Sequence, residues 1–177
     1  GLGDVYKRQI MKYLRNDLRE EYERIAKNVL DIEGLQHPLI NFSDVLHAYF
    51  ILADYFTDES SDNIEHMLVG LRSADLLGSA LGRQIVCFGG RKKYTDSIEI
   101  CATLFYGLVK DHAFHDGNKR TALLTLLYQL TLYGYIPSVS VNKYEKLVVA
   151  VAAFIPQGEL DIVANSSIAF VCSMQVE

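Results

Sequence analysis

The sequence predicts an all-α helical bundle carrying one short β-hairpin. Apolar residues recur three or four positions apart through most of the chain, the period of a helix with one buried face. A single Gly89-Gly90 pair separates a β-favouring run from a basic one in RQIVCFGGRKKY, and no other stretch reads as strand.

The elements follow in order. From Ile10 to about Glu33, the spacing of Leu14, Leu18, Tyr22, Ile25 and Val29 predicts an amphipathic helix, closed by Gly34 and Pro38. Ser43 with Asp44 is expected to start a second helix through DVLHAYFILADYF, with Val45, Tyr49 and Leu52 on one face. TDESSDN is a polar loop. From Ile64 to about Leu81 the pattern is helical but interrupted at Gly70, Gly78 and Gly82, so it fits one broken helix or two short ones. The hairpin spans Arg83 to Tyr94 and, being marginal alone, must lean on its neighbours.

Thr95 or Asp96 then caps a long helix to about Asp111, with Ile98, Ala102, Phe105 and Val109 inward. Another begins near Lys119, with Leu123, Leu126, Leu127 and Leu130 on one stripe and Gly134 and Pro137 as stops. Two further helices are expected near Asn142 to Phe154 and Leu160 to Ser173. Residues 1–9 stand apart: DVYKRQ, Asp4 to Gln9, is one translated frame of the transposase end sequence used in library preparation. They read as a gene-assembly scar, leaving 10–177 as a single domain and open what natively precedes Ile10.

Composition narrows the function classes. At 177 residues the chain can bury a core unaided, and with 50% hydrophobic and 22% charged residues it is globular. The apolar run VVAVAAFI, Val148 to Ile155, is far short of the roughly 20 residues a membrane helix needs, so a soluble protein without membrane partners is expected. Cys87, Cys101 and Cys172 are odd in number and without paired spacing, which fits a reducing, cytoplasmic location; Cys87 and Cys101 read as small buried hydrophobes. A net charge of −5 argues against nucleic acid as a partner. The cations are local: Lys110, Lys119 and Arg120, with Arg91, Lys92 and Lys93 upstream. They suggest a small anionic ligand.

The chemistry concentrates in DHAFHDGNKR, Asp111 to Arg120. Between two helices, His112 falls at the end of the incoming one, while Gly117, Asn118, Lys119 and Arg120 form the first turn of the outgoing one. The first N–H groups of a helix lack intrahelical partners and carry the positive end of its dipole, so they bind anions. Gly117 permits a tight turn and a close approach of phosphate to backbone. Asp116 is a hard oxygen donor suited to Mg²⁺ beside such an anion, and a neutral His112 can accept a proton from an attacking hydroxyl. Together these parts fit phosphoryl or nucleotidyl transfer.

At these residues the sequence resembles the Fic/Doc family, whose motif is HxFx(D/E)GN(G/K)R. His112, Phe114, Asp116, Gly117, Asn118, Lys119 and Arg120 match it in order. The resemblance implies a Fido-type helical fold from about Phe42 to Val151 with the hairpin as a flap. It is nearest the Doc branch, because the motif continues as NKRTAL. Members that transfer AMP generally have glycine where Lys119 stands and a second arginine where Leu123 stands. A Doc-type resemblance implies an ATP-dependent kinase that moves the γ-phosphoryl group to a threonine of elongation factor Tu, inhibited in trans by a separate antitoxin.

Carried onto this chain, His112 is the general base and Asp116 the Mg²⁺ ligand. Gly117, Asn118, Lys119 and Arg120 bind the ATP phosphates, Phe114 anchors the loop, and Ile85, Val86, Cys87 and Phe88 form the flap strand that docks the protein substrate. The (S/T)xxxE(G/N) inhibitory pattern finds only Ser61 to Glu65, followed by His66, which misses its last position.

Other readings stand beside this one. His112 alone can be a helix C-terminal cap, Asp116-Gly117-Asn118 a turn, and the basic hairpin a charged edge that deters aggregation. His115 holds the variable motif position and is expected to face solvent. A hydrolytic metal site on His112, His115 and Asp116 lacks further ligands, since His37, His47 and His66 are scattered. A Fic-type AMP or nucleotide transferase and a non-catalytic nucleotide- or partner-binding module remain as alternative functions.

Overall fold

A computed structural model of the chain describes residues 14–56 and 68–135. Among them are five α-helices, one 3-10 turn and one two-stranded hairpin, in agreement with the expected all-α, Fido-type bundle.

Helix α1 (Asn16–Asn28) buries Leu18, Tyr22 and Ile25. It is shorter than its apolar spacing suggested because the Asn28 side-chain amide donates back to the Arg24 carbonyl at 2.8 Å and the chain turns extended at Val29. Helix α2 (Phe42–Phe56) starts earlier than Ser43. Asn41 and Asp44 cap each other, Asn41 N–H donating to the Asp44 carboxylate at 2.9 Å and Asp44 N–H to the Asn41 amide oxygen at 3.0 Å. This reciprocal arrangement satisfies two amides that the first turn would leave unpaired. His37 Nε2 donates to the same Asp44 carboxylate at 3.0 Å from an exposed position, and His47 Nε2 lies 3.2 Å from the Tyr22 hydroxyl, so both make local structural contacts.

Of the interrupted stretch from Ile64, residues 68–73 are not helical, and helix α3 (Ala74–Gly82) follows, capped by Ser73 Oγ accepting from Leu76 N–H at 3.2 Å. Gly70 lies in this non-helical stretch, while Gly78 and Gly82 are absorbed into α3. A 3-10 turn (Arg83–Ile85) leads into β1 (Cys87–Phe88), which pairs antiparallel with β2 (Arg91–Lys92) in the register Cys87 to Lys92 and Phe88 to Arg91. Gly89 and Gly90 both take positive φ, 55° and 75°, as a tight two-residue hairpin turn requires.

The hairpin is shorter than expected: Ile85 belongs to the 3-10 turn, and Val86 joins only by accepting Lys93 N–H at 2.8 Å. Cys87, read as a buried hydrophobe, is exposed, whereas Cys101 is buried. Cys87 lies on a ribbon whose two strands are exposed, with no layer above or below it among the described residues.

Helix α4 (Ser97–Lys110) is capped by Asp96, whose Oδ1 accepts from Ile98 and Glu99 N–H at 2.8 and 3.2 Å. Helix α5 (Asn118–Leu132) ends at Gly134, φ 86°, where Gly134 N–H reaches the Thr131 carbonyl and Tyr135 N–H the Leu130 carbonyl, each at 2.9 Å. The helices expected at 142–154 and 160–173, Cys172, His66 and the Ser61–Glu65 pattern lie outside the described residues.

Among the described residues the core is one cluster fed by all five helices, with Tyr22, Tyr49, Phe50, Leu81, Phe105, Leu126 and Leu130 among its largest buried side chains. The most extensive helix pairing is α4 with α5, the two helices that flank the motif loop. The buried face of α5 is not the leucine stripe the spacing suggested. Leu126 and Leu130 are buried with Thr121, Thr125 and Gln129, while Leu123 and Leu127 sit at the margin.

Two contacts explain how the bundle closes. A Cβ on Gly107 of α4 would lie 2.9 Å from Ala80 Cα and 2.8 Å from Arg83 Cδ, so this glycine permits the approach of α3. Gln84, 3% exposed, acts as a buried bridge. Its Oε1 accepts from Ile40 N–H at 2.9 Å and Gln129 Nε2 at 2.8 Å, while its Nε2 donates to the carbonyls of Ile40 at 2.9 Å and Leu81 at 3.1 Å. This network draws residues 83–85 onto the bundle, which is why the strand starts only at Cys87.

Gly107→Ala should destabilise the protein by about 1–2 kcal/mol in urea unfolding, since overpacking here outweighs the roughly 1 kcal/mol by which alanine favours a helix. Gln84→Ala should cost more, about 3 kcal/mol, because it leaves the Ile40 amide and carbonyl buried without partners; an unchanged midpoint would mean the network contributes nothing net.

Candidate active site

The site is the seven-residue connection between α4 and α5, and its shape follows from how few of its residues are free to choose. At the end of α4, Asp111 closes the last turn, donating its N–H to the Gly107 carbonyl at 2.8 Å. Burial pushes the Asp111 carboxyl up from the ordinary carboxylate range, while nearby Arg83 and His112 pull it down. Arg83 is itself fixed by donating from Nε to the Thr103 carbonyl and hydroxyl, both at 3.1 Å, with its guanidinium over the Tyr106 ring.

His112 follows at φ 49°, the one non-glycine residue with positive φ among the described residues, and its side chain is exposed. Holding such a conformation costs on the order of 1 kcal/mol, and the surrounding loop must over-determine it.

That over-determination is visible. Residues 70–73 run alongside the loop: the Ala113 carbonyl accepts from Arg72 N–H at 2.8 Å and Ser73 N–H at 3.1 Å, and His115 N–H donates to the Gly70 carbonyl at 3.0 Å. Leu71 and Phe114 form an antiparallel bridge. Phe114 is 3% exposed and stacks on Tyr49 of α2, ring centroids 4.0 Å apart and planes within 11°. The Tyr49 hydroxyl in turn accepts Gly70 N–H at 2.7 Å. Asn118, the first residue of α5, grips the same phenylalanine by its backbone: its Oδ1 accepts Phe114 N–H at 2.9 Å and its Nδ2 donates to the Phe114 carbonyl at 2.8 Å.

Of the remaining motif residues, Asp116, Lys119 and Arg120 reach solvent and Gly117 is buried. Asp116 is half-buried; its Oδ1 accepts the N–H of Gly117. Gly117 has φ 77° and opens α5 with no side chain capping the helix end. Lys119 is exposed, and the Arg120 guanidinium lies 4.2 Å over the centre of the Phe56 ring. His115 is exposed, as its variable motif position implied. The loop therefore places an exposed imidazole, a partly free carboxylate and an uncapped helix end with two cations in one short segment. The Asn118 side-chain amide is committed to Phe114, and its backbone N–H stands at the helix end.

Sequence reasoning missed Tyr49, Gly70 and the 72–73 backbone as parts of the site. Gly70 carried a signal, an unexplained break in a helical pattern. It has φ 152°, and a Cβ there would meet His115 Cδ2 at 3.0 Å. Tyr49 was legible only as core. Among the described residues no cluster of three or more His, Cys, Asp or Glu side chains is placed to hold a metal ion, and no helix is long and apolar enough to cross a membrane.

Tyr49→Phe keeps the stack on Phe114 but leaves the Gly70 N–H without its partner, and should cost about 1–3 kcal/mol near neutral pH. Burial, with smaller contributions from Asp116 and Glu21, pushes the Tyr49 hydroxyl up to about 12 from 10.0. Between those values the unfolded chain releases a proton the folded chain keeps, so wild-type stability falls as pH rises through that window. The variant lacks this loss, and the stability gap should narrow in urea titrations at about pH 11.

A sequence model of the Fic/DOC family matches residues 7–130, a span that takes in α1 to α4, the hairpin, the motif loop and most of α5. No curated protein and no solved structure matches the chain. Members of the matched family are in general transferases that move nucleotidyl or phosphoryl groups. With well over half of its length matched and the motif loop built as described, the chain belongs to the Fic/DOC family.

Proposed function

We propose that the chain is a Doc-like protein kinase, moving the γ-phosphoryl group of ATP to a threonine or serine hydroxyl of a target protein, with elongation factor Tu the first candidate. The observation that carries this reading is the start of α5, an uncapped helix end with Lys119 outside it, and Leu123 packed against the core where AMP-transferring members have a second arginine. An apolar side chain in that position offers a nucleotide phosphate no charge.

Each residue then has a task. The backbone amides of Asn118, Lys119 and Arg120 at the positive end of the helix hold phosphate oxygens, and Lys119 adds a point charge. His112, exposed and held in its unusual backbone conformation, takes the proton of the target hydroxyl onto an imidazole nitrogen as that oxygen attacks the γ-phosphorus and the bond to the departing ADP breaks. Asp116 retains one carboxylate oxygen not engaged by Gly117 N–H. Mg²⁺ in nucleotide sites needs only one or two carboxylates, the rest being phosphate oxygens and water, so this lone donor fits it. Mg²⁺ held there would supply charge neutralisation for the phosphate oxygens. The hairpin, with Ile85 and Val86 at its root and Cys87 and Phe88 exposed on a strand that pairs on one side only among the described residues, docks an extended target segment by backbone pairing. Control in trans by a separate antitoxin completes the proposal; a neighbouring gene with a DNA-binding start and an acidic tail is expected.

Wild type and His112→Ala are to be incubated with elongation factor Tu and ATP radiolabelled at the α or the γ position. Label should pass from the γ position only, and the variant should lose about 10²- to 10⁴-fold of the rate. Transfer from the α position alone would establish nucleotidyl transfer instead, and equal behaviour of wild type and variant would leave a binding module.

A further inference from the structure

Arg120 is a motif residue whose setting the motif does not describe. It is the third residue of α5, and its guanidinium carbon lies 4.2 Å from the centroid of Phe56, the last residue of α2. Among the described residues it forms no ion pair or hydrogen bond, so this ring contact is what orients it. Phe56 is only partly exposed and packs against the core cluster, with Tyr55 meeting it edge-on at 5.0 Å between ring centres. The platform under Arg120 is therefore fixed at both ends, by the α2 backbone and by its own packing.

The geometry points to Phe56 as a positioning residue for nucleotide phosphate, acting through Arg120; this rests on the phosphotransferase reading above. A guanidinium lying over an aromatic face is attracted by the ring quadrupole, yet its N–H donors lie in its own plane and stay available. A carboxylate partner would hold the arginine equally well but would occupy that fork and cancel its charge. The ring does neither. It removes rotamer freedom from a long side chain before the ligand arrives, so less is lost when a phosphate is bound. Because Phe56 closes α2 and Arg120 lies in the first turn of α5, the contact also ties the anion-binding helix end to the helix that carries Tyr49, and so to the floor of the motif loop.

The test is Mg–ATP affinity by calorimetry, with kcat and KM measured on the same protein, for wild type, Phe56→Leu and Phe56→Trp, each also in an Arg120→Ala background. Leucine keeps an apolar side chain but removes the quadrupole; tryptophan strengthens it. Phe56→Leu should weaken Mg–ATP about two- to fivefold and raise KM with little change in kcat, while Phe56→Trp should bind at least as tightly as wild type. In the Arg120→Ala background the leucine and tryptophan variants should become equal, as a pairwise coupling demands. Equal or tighter binding by Phe56→Leu, or the same leucine-to-tryptophan difference without Arg120, would overturn the inference while leaving the phosphotransferase reading intact. Absence of Mg–ATP binding by wild type would instead remove the reading on which it rests.

Discussion

The burial of Phe114 is the constraint on which the rest of the molecule depends. A loop that must expose an imidazole, a carboxylate and several amides has little apolar surface with which to hold itself in place. This one drives a single aromatic side chain into the core, between Tyr49 and the neighbouring backbone, and hangs the polar residues from it. Burying the ring takes the Phe114 amide and carbonyl out of water as well. Asn118 satisfies both, at 2.9 and 2.8 Å, so the residue that opens α5 is bonded to the residue that anchors the loop. The start of the helix and the path of the loop are thereby one arrangement rather than two.

From that anchor the outward geometry follows. With Ala113 and Phe114 turned inward and bridged to residues 70–73, the chain on either side must come out to solvent, and His112 and His115 do so. The positive φ of His112 is the conformational strain of that exit, and that of Gly117 is the matching turn into α5. Where strain falls on glycine it costs little; where it falls on histidine it has to be held by the hydrogen bonds around it. This is a physical reason for the glycine at one end of the loop, and it makes the histidine at the other end the more informative residue.

A second set of buried polar contacts links the hairpin to the bundle. Gln84 joins the segment before α2, the end of α3 and the side chain of Gln129 on α5. Apolar side chains in the same volume would fill it but could not specify which of several packings the segments adopt, whereas amide pairing tolerates only one register. The exposed ribbon at Cys87 to Lys92 thus projects from a rigid base. A two-stranded ribbon is marginal by itself and needs such a base to hold its direction.

Much of this was legible in the residues. Helical spacing marked the regions of all five described helices, Thr95 or Asp96 a start, Gly134 a stop, and Gly89-Gly90 the hairpin turn, because these are local preferences of a few neighbouring dihedrals. The motif loop was legible for the same reason, its residues being contiguous in the chain. What the sequence could not determine are contacts between residues far apart: Tyr49 beneath Phe114, Gly70 against His115, Gln84 meeting Gln129, Arg120 over Phe56. None carries a local signature, since a tyrosine on an apolar helix face or a glutamine among leucines reads the same whether or not a partner awaits it. Only packing decides which side chains meet, and with it whether a motif arginine lies in open water or on an aromatic ring.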